Sequence, residues 1–78
     1  MSNDMKKNIK AYRSFLGLKQ KDMAEKIGIS VQSYISWENN PEKLNLKKLS
    51  LLADIFGCKV EDIFLGDELI LNHKKSNN

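Results

Sequence analysis

Residues 20–40 read QKDMAEKIGISVQSYISWENN, and they carry the strongest structural signal in the sequence. Apolar residues recur at helical spacing on both sides of Gly28, a residue that tolerates the left-handed backbone of a tight turn. Ala24 is small enough for two helices to approach closely, and the Ser30 hydroxyl can accept a hydrogen bond from an amide at the start of the second helix. The stretch therefore predicts two short helices joined by a glycine-containing turn, a helix-turn-helix.

Helical spacing in the rest of the chain predicts three further helical elements around the same core. The first helix covers about residues 5–16 and ends at Gly17, the fourth begins after Asn45 and ends at Gly57, and a last apolar turn closes the core. The residues expected to face inward in these elements are Met5, Ile9, Tyr12, Leu16, Leu46, Leu49, Leu52, Ala53, Phe56, Val60, Ile63 and Phe64. Because β-branched residues are isolated and no Asn-Gly or Asp-Gly hairpin turn occurs, the expected fold class is all-α, a compact bundle of five short helices.

Length and composition bound the kind of protein. A chain of 78 residues makes one small domain, since a core of this size cannot be divided. The 13 basic and 10 acidic residues give a net charge of +3, which permits a polyanionic partner without requiring one. The single cysteine excludes an internal disulfide, and no apolar run approaches the ~20 residues of a membrane span. We therefore expect a soluble cytoplasmic protein that does not bind membranes.

The character of the chain changes near its end. We expect a helical domain over residues 1–66 and a tail over residues 67–78 that is partly disordered. The tail begins with an apolar triplet that is too short for a membrane anchor. It suits either a strap over the core or a contact between two copies of the chain, and its residues are Leu69, Ile70 and Leu71.

The stretch QKDMAEKIGISVQSYISWENN resembles the helix-turn-helix of the phage Cro and repressor family, also called the xenobiotic-response-element type. The resemblance runs from Ile9 to Phe64 and includes the closing GCKVEDIF, which is similar to the family's junction between helices four and five. It implies a lambda-repressor-like domain and a non-enzymatic transcriptional regulator without a cofactor, of the Cro-like or small prophage repressor kind. The implied ligand is a pseudo-palindromic, double-stranded DNA operator, which a homodimer binds through the major groove in a bacterial or phage nucleoid.

The resemblance also implies roles for individual residues. It places on the groove-facing side of the third helix the residues Ser30, Val31, Gln32, Ile35 and Ser36. It implies a contact of Gln20 with a DNA phosphate. Other candidates for phosphate contacts lie in or near the helix-turn-helix, and they are Lys19, Lys21, Ser33, Lys43 and Lys47.

Helical geometry and base chemistry agree with this assignment. If Tyr34 and Trp37 point into the core, positions 32, 35, 36 and 39 point away from it, because neighbours on a helix lie about 100° apart. The Gln32 amide can form a bidentate pair with adenine, and the aliphatic side chains of Val31 and Ile35 can meet thymine methyl groups. We therefore expect a half-site that contains A·T pairs.

One arginine stands among twelve lysines. In proteins of this family, the positions of Arg13 and Glu38 form an ion pair between helix one and the end of helix three. A planar guanidinium suits a partly buried, bidentate pair better than a lysine does, which gives Arg13 a structural role.

Two other functions remain open. In the first, the Val31 and Ile35 patch docks onto another repressor, and the protein modulates that partner instead of binding DNA. In the second, the protein is an antitoxin-type autoregulator. Ile35 also has a packing alternative, in which helix three is rotated and this side chain lies in the core or in a contact with a partner.

Several positions depart from the family pattern or lack a functional partner. Lys19 and Lys59 stand where the family usually has a capping Ser or Thr, and Asn40 replaces a common glycine after helix three, where we expect a left-handed residue. Cys58 is expected to be a small core residue, and neither it nor His73 has a second ligand at metal spacing. No catalytic set of side chains is found, so we expect no metal and no enzymatic activity.

Overall fold

The structure, a computed structural model, describes residues 2–65 of the chain. Among these residues it contains five α-helices, one short 3-10 turn and no β-strand, which confirms the all-α prediction. The helices are α1 (Ser2–Phe15), α2 (Gln20–Ile27), α3 (Val31–Asn39), α4 (Leu46–Phe56) and α5 (Val60–Leu65), and the 3-10 turn covers Pro41–Lys43. The predicted triplet Leu69–Leu71 and the predicted tail lie outside the described residues.

The turn between α2 and α3 has the geometry that the sequence predicts. Gly28 has a φ of 89°, in the left-handed region, and its amide donates to the Ala24 carbonyl oxygen at 2.8 Å. The amide of Ile29 donates to the same carbonyl at 3.0 Å. After this turn, the Ser30 hydroxyl accepts a hydrogen bond from the Ser33 amide at 3.0 Å and caps α3. The predicted cap of α4 is also present, since Asn45 Oδ1 accepts from the Lys48 amide at 2.8 Å.

The lysines that replace capping residues are compensated by aspartates three positions later. The Lys19 amide donates to the Asp22 carboxylate at 2.8 Å, and the Lys59 amide donates to the Asp62 carboxylate at 2.9 Å. Each contact is half of a capping box, in which the third helical residue reaches back to the residue before the helix. The starts of α2 and α5 are therefore held by their acidic residues.

The prediction for Asn40 is wrong. Its φ is −131°, outside the left-handed region, and no residue other than glycine among 2–65 has a positive φ. Pro41 supplies the physical reason, because a proline ring crowds the backbone of the residue before it and favours a φ of about −120° there. Asn40 still satisfies the end of α3, since its amide donates to the Ser36 carbonyl at 2.9 Å.

The core draws on all five helices. Its buried members are Met5, Ile9, Tyr12, Met23, Ala24, Tyr34, Leu49, Leu52, Ala53, Phe56 and Ile63. Tyr12 of α1 stacks on Phe56 of α4 with 5.4 Å between ring centroids. The buried Asn8 side chain ties α1 to α5, because its amide donates to the Ile63 carbonyl at 2.6 Å. Cys58 is partly buried and packs against this core.

Three residues that were expected to face inward are exposed. Leu46 is 68% exposed, because it occupies the first position of α4, before that helix reaches the core. Leu16 is 43% exposed, and it follows the last residue of α1, so helical spacing no longer sets its direction. Phe64 is 51% exposed, since the six-residue α5 buries Ile63 and the side chains next to it in sequence face elsewhere.

Candidate nucleic-acid interface

The helix-turn-helix is packed as its sequence predicts. Met23 and Ala24 of α2 and Tyr34 of α3 are buried. Around them lie the partly buried residues Ile27, Ile29 and Trp37, all of which pack against the core. The two helices therefore meet through their apolar sides, and the rotation of α3 about its axis is determined.

The buried carboxylate of Glu38 links α1, α2 and α3. Glu38 is fully buried, and its two oxygens accept four hydrogen bonds. Arg13 of α1 donates from Nε at 2.7 Å and from Nη2 at 3.2 Å, which forms a bidentate ion pair. The Tyr34 hydroxyl donates at 2.7 Å and the Gln20 amide nitrogen of α2 at 3.1 Å. Arg13 Nη1 also donates to the Leu18 carbonyl at 2.9 Å, which holds the loop between α1 and α2.

The hydrogen bonds keep this carboxylate ionised. Burial alone would raise the pKa of Glu38, but the hydrogen bonds from Arg13, Tyr34 and Gln20, together with the positive charge of Arg13, lower that pKa below its usual value. The bond to Glu38 in turn raises the pKa of Arg13. Burial, together with the bond to Glu38, raises the pKa of the Tyr34 hydroxyl far above its usual value. Near neutral pH, Tyr34 is therefore a donor and Glu38 a charged acceptor.

The opposite side of α3 faces solvent. Gln32, Ser36 and Asn39 are exposed, and Val31 is 40% exposed. Ile35 is partly buried, but it is not among the apolar side chains of residues 2–65 that pack against the core. The alternative in which α3 is rotated to place Ile35 in the core is therefore wrong. The one charged side chain of α3, Glu38, is hidden on the other side, so the exposed side of this helix carries no charge.

Exposed lysines lie near the ends of the elements around α3. Lys19 and Lys21 are at the start of α2, Lys43 is in the 3-10 turn that follows α3, and Lys47 is in the first turn of α4. The neighbouring Lys48 lies over the Trp37 ring, with its Nζ 5.4 Å from the ring centroid. This cation–π contact links the first turn of α4 to α3.

Comparison with known proteins decides the family. A helix-turn-helix family model matches residues 9–63, more than half of the chain. The chain belongs to the Cro/repressor-type helix-turn-helix family of DNA-binding proteins. A protein of Methanocaldococcus jannaschii described as an uncharacterized HTH-type transcriptional regulator is 39% identical over 64 residues, which cover 82% of this chain and 97% of that protein. A protein of Archaeoglobus fulgidus with the same description is 30% identical over 71 residues, 91% of this chain and all of its own length. No solved structure matches the chain significantly.

These matches make the protein a DNA-binding transcriptional regulator. None of the helices within residues 2–65 is long and apolar enough to cross a membrane. In the same part of the regulator, no group of three or more His, Cys, Asp or Glu side chains is placed to hold a metal ion.

Three predicted contact residues of the regulator, Gln20, Ser30 and Ser33, already have intramolecular partners. The Gln20 amide nitrogen donates one hydrogen to Glu38 and keeps a second, so a phosphate contact need not break that bond. The Ser30 hydroxyl caps α3 and also donates to the Ser33 hydroxyl oxygen at 2.9 Å. The hydrogen of the Ser33 hydroxyl remains available, whereas Ser30 is committed to the helix cap.

Some polar contacts of the regulator were not predicted from its sequence. Tyr34 was expected only as a core residue, although its position four residues before Glu38 places both side chains on one side of α3. Asn8 could have been noticed as a polar residue between Met5 and Tyr12 on the apolar side of α1. No sequence pattern pointed to the bond between Gln20 and Glu38, because those residues lie on different helices.

Proposed function

We propose that this regulator binds a pseudo-palindromic DNA operator as a homodimer, with α3 of each copy in the major groove of one half-site. The proposal rests on one observation, that one side of α3 is buried and the opposite side is exposed. Tyr34 and Glu38 hold one side in the protein, while Gln32 and Ser36 on the other are exposed and uncharged. Such a surface suits the edges of base pairs, which present neutral hydrogen-bonding groups and methyl groups.

Gln32 is the proposed reader of adenine. Its exposed amide can donate to N7 and accept from the N6 amino group of adenine in one bidentate pair. Ser36 can bond to more than one base type and adds contact area with less discrimination. Because α3 carries no arginine, the commonest guanine contact is missing, and we expect A·T pairs in each half-site.

Phosphate contacts are proposed for the residues that surround α3. Each exposed lysine that neutralises one phosphate adds about one unit to the slope of log affinity against log salt concentration. The proposed contacts are Lys19, Lys21, Lys43 and Lys47, together with Gln20 and Ser33. Replacing one of these lysines by alanine should weaken binding to every sequence alike and reduce the slope by about one.

The mode of regulation that we propose is occupancy of a promoter, as in a Cro-like or small prophage repressor. An antitoxin-type autoregulator would use the same contacts on the promoter of its own gene. For the homodimer, we propose the triplet Leu69–Leu71 as a contact between copies, on the sequence alone. Removal of residues 67–78 should then change the mass measured by sedimentation equilibrium from that of two chains to that of one, and a truncated protein that remains dimeric would refute this role.

Selection from a random duplex library tests the proposal directly. The full chain should enrich one sequence with two related half-sites, and a gel-retardation assay should show weaker binding at higher salt. Gln32→Ala should lose about 1–3 kcal/mol of discrimination at one base pair of each half-site. The control Glu61→Ala, which truncates an exposed polar residue on α5, should bind like the native chain. Guanine at the Gln32 position of the selected sites would contradict the adenine contact.

One observation favours a second function. Val31 and Ile35 leave an apolar patch on the solvent side of α3, which suits a protein partner such as another repressor. If the library yields no enriched sequence, and a repressor encoded nearby co-purifies with the native chain but not with a Val31→Ser variant, the second function is correct and the first is wrong.

A further inference from the structure

We infer that the regulator identifies thymine, and any other pyrimidine with a methyl group at C5, through an aliphatic pair on α3 formed by Val31 and Ile35. This inference rests on the proposed entry of α3 into the major groove. It adds the C5 methyl group, including that of a methylated cytosine, to the hydrogen bonds and phosphate contacts of the proposed function.

The position of the aliphatic pair on α3 supports a shared contact. Residues four positions apart lie about 40° from each other around a helix, so Val31 and Ile35 are neighbours on one flank. Val31 is 40% exposed, and Ile35 is partly buried without joining the packed core. Both side chains are β-branched and therefore stiff at the first side-chain torsion, which makes the patch a defined shape rather than a flexible one.

The aliphatic pair lies beside the proposed hydrogen-bonding residues. Ile35 and Asn39 are again four positions apart, and Gln32 follows Val31 directly in sequence. The Ser30 hydroxyl is committed to the cap of α3 and to Ser33, so it adds little to base recognition. Discrimination at the start of α3 therefore depends on one amide and two aliphatic side chains. In the major groove, the C5 methyl of thymine is the apolar group that such side chains can detect.

The dimensions of α3 favour a base contact over a protein partner. The nine residues of this helix span roughly 13 Å, whereas a stable protein interface buries on the order of 1,200 Å² or more. Two aliphatic side chains cover a small part of such an area, and the residues beside them are polar. The exposed lysines at the start of α2, in the 3-10 turn and in α4 complement a polyanion, which again favours DNA.

A chemical change in the DNA tests the contact without altering the protein. The probe is the duplex enriched by the native chain from the random library, synthesised again with each thymine in turn replaced by uracil. Uracil keeps the hydrogen-bonding groups of thymine and lacks its methyl group. At one or two positions of each half-site, uracil should lower the affinity about fourfold, the factor that corresponds to burial of one methylene-sized group. At the remaining positions the affinity should not change.

The same contact predicts a response to cytosine methylation. At a position where uracil weakens binding, a cytosine should also weaken it. A 5-methylcytosine at that position should then bind about fourfold more tightly than the unmethylated cytosine, because it restores the methyl group. Equal affinities for the two cytosine duplexes would contradict the inference.

Variants of the aliphatic pair separate this role from a merely structural one. Val31→Ala and Ile35→Ala should bind the thymine and uracil duplexes equally at the position that each side chain contacts, whatever their overall affinity. Leu51→Ala is the matched control, since Leu51 is also 40% exposed but lies on α4, and this variant should keep the fourfold preference for thymine.

The outcomes distinguish this inference from the proposed function. Equal binding of thymine and uracil duplexes by the native chain overturns the methyl contact while sequence-specific DNA binding stands. A preference for thymine that survives in both alanine variants assigns the methyl contact to other residues and also overturns the inference. Failure to enrich any duplex overturns the proposed function, and the inference falls with it.

Discussion

The hydroxyl of Tyr34 donates a 2.7 Å hydrogen bond to the carboxylate of Glu38, one turn further along α3. Both side chains are fully buried, and Arg13 and Gln20 approach the same carboxylate from α1 and α2. The polar cluster therefore orients the helix that is proposed to read DNA, from the side that DNA cannot reach.

Tyr34→Phe should reduce the free energy of unfolding by about 1–3 kcal/mol, because it removes one donor from a buried charged acceptor. Urea titration followed by circular dichroism measures the change. Tyr12→Phe is the comparison, since the Tyr12 hydroxyl interacts with the Cys58 thiol, a weaker hydrogen-bond partner. A loss at Tyr34 no larger than the loss at Tyr12 would mean that Glu38 does not depend on this donor.

Arg13→Met should lower the stability by about 3 kcal/mol, because it leaves the fully buried Glu38 carboxylate without its ion-pair partner. The change appears as a lower melting temperature in a calorimetric scan. Lys10→Met removes a positive charge from an exposed position of the same helix and should change the melting temperature little. Adding Glu38→Leu to Arg13→Met should recover part of the loss, since no buried charge then remains unpaired.

The stability should fall in acid because of Glu38. Its pKa in the folded protein is lower than the ordinary value of 4.5, so the unfolded chain binds a proton more readily at this site. The contribution of Glu38 is present above pH 4.5 and is lost as the pH falls through the lower pKa of the folded protein. Glu38→Gln should flatten this part of the stability curve, measured by urea unfolding at a series of pH values. Glu25→Gln, which removes an exposed carboxylate on α2, is the control for the loss of one negative charge.

Lys59→Ser should stabilise the protein by about 1 kcal/mol. The Lys59 amide already donates to the Asp62 carboxylate, and a serine hydroxyl would supply the missing acceptor at the start of α5. Lys47→Ser is the control, because it makes the same substitution inside the first turn of α4, where Asn45 already caps the helix. Equal effects of the two substitutions on the melting temperature would show that charge, not capping, is responsible.

Cys58 should react slowly with thiol reagents. Burial, aided by the nearby Asp62 charge, raises the pKa of its thiol from 9.0 to about 11. The reactive thiolate is therefore about 100-fold less abundant at pH 8 than for an ordinary cysteine. Alkylation by iodoacetamide, followed by mass spectrometry, should be correspondingly slower in the native chain than in the chain unfolded in urea. Similar rates in the two states would place the thiol in solvent.

Most of the fold could be predicted from the sequence, because helical spacing, capping residues and helix-ending glycines indicate the same helices. Gly28 and Gly57 end their helices in the left-handed conformation, and Ser30 and Asn45 cap the helices that follow them. The uncharged outward side of α3 also followed from helical spacing once Tyr34 was assigned to the core. Each of these features depends on residues within a few positions of one another.

Predictions from the sequence are wrong or incomplete where a helix ends and where two helices meet. Helical spacing places Leu46 on the inner side of α4, but it cannot tell that the core begins one turn later. Asn40 could adopt a left-handed conformation, and Pro41 sets a different one. The contact between Gln20 and Glu38 joins different helices, so it depends on a packing angle that no local pattern encodes.

The two sides of α3 also bear on how such a regulator can change over time. Tyr34 and Glu38 secure the helix, while Gln32, Ser36 and Asn39 are exposed and contribute little to its stability. Substitutions at these exposed positions can therefore accumulate without unfolding the domain. If these positions read DNA as we propose, two descendants of one gene can come to recognise different promoters while keeping the same scaffold, and new regulatory circuits then arise by few and individually tolerable mutations.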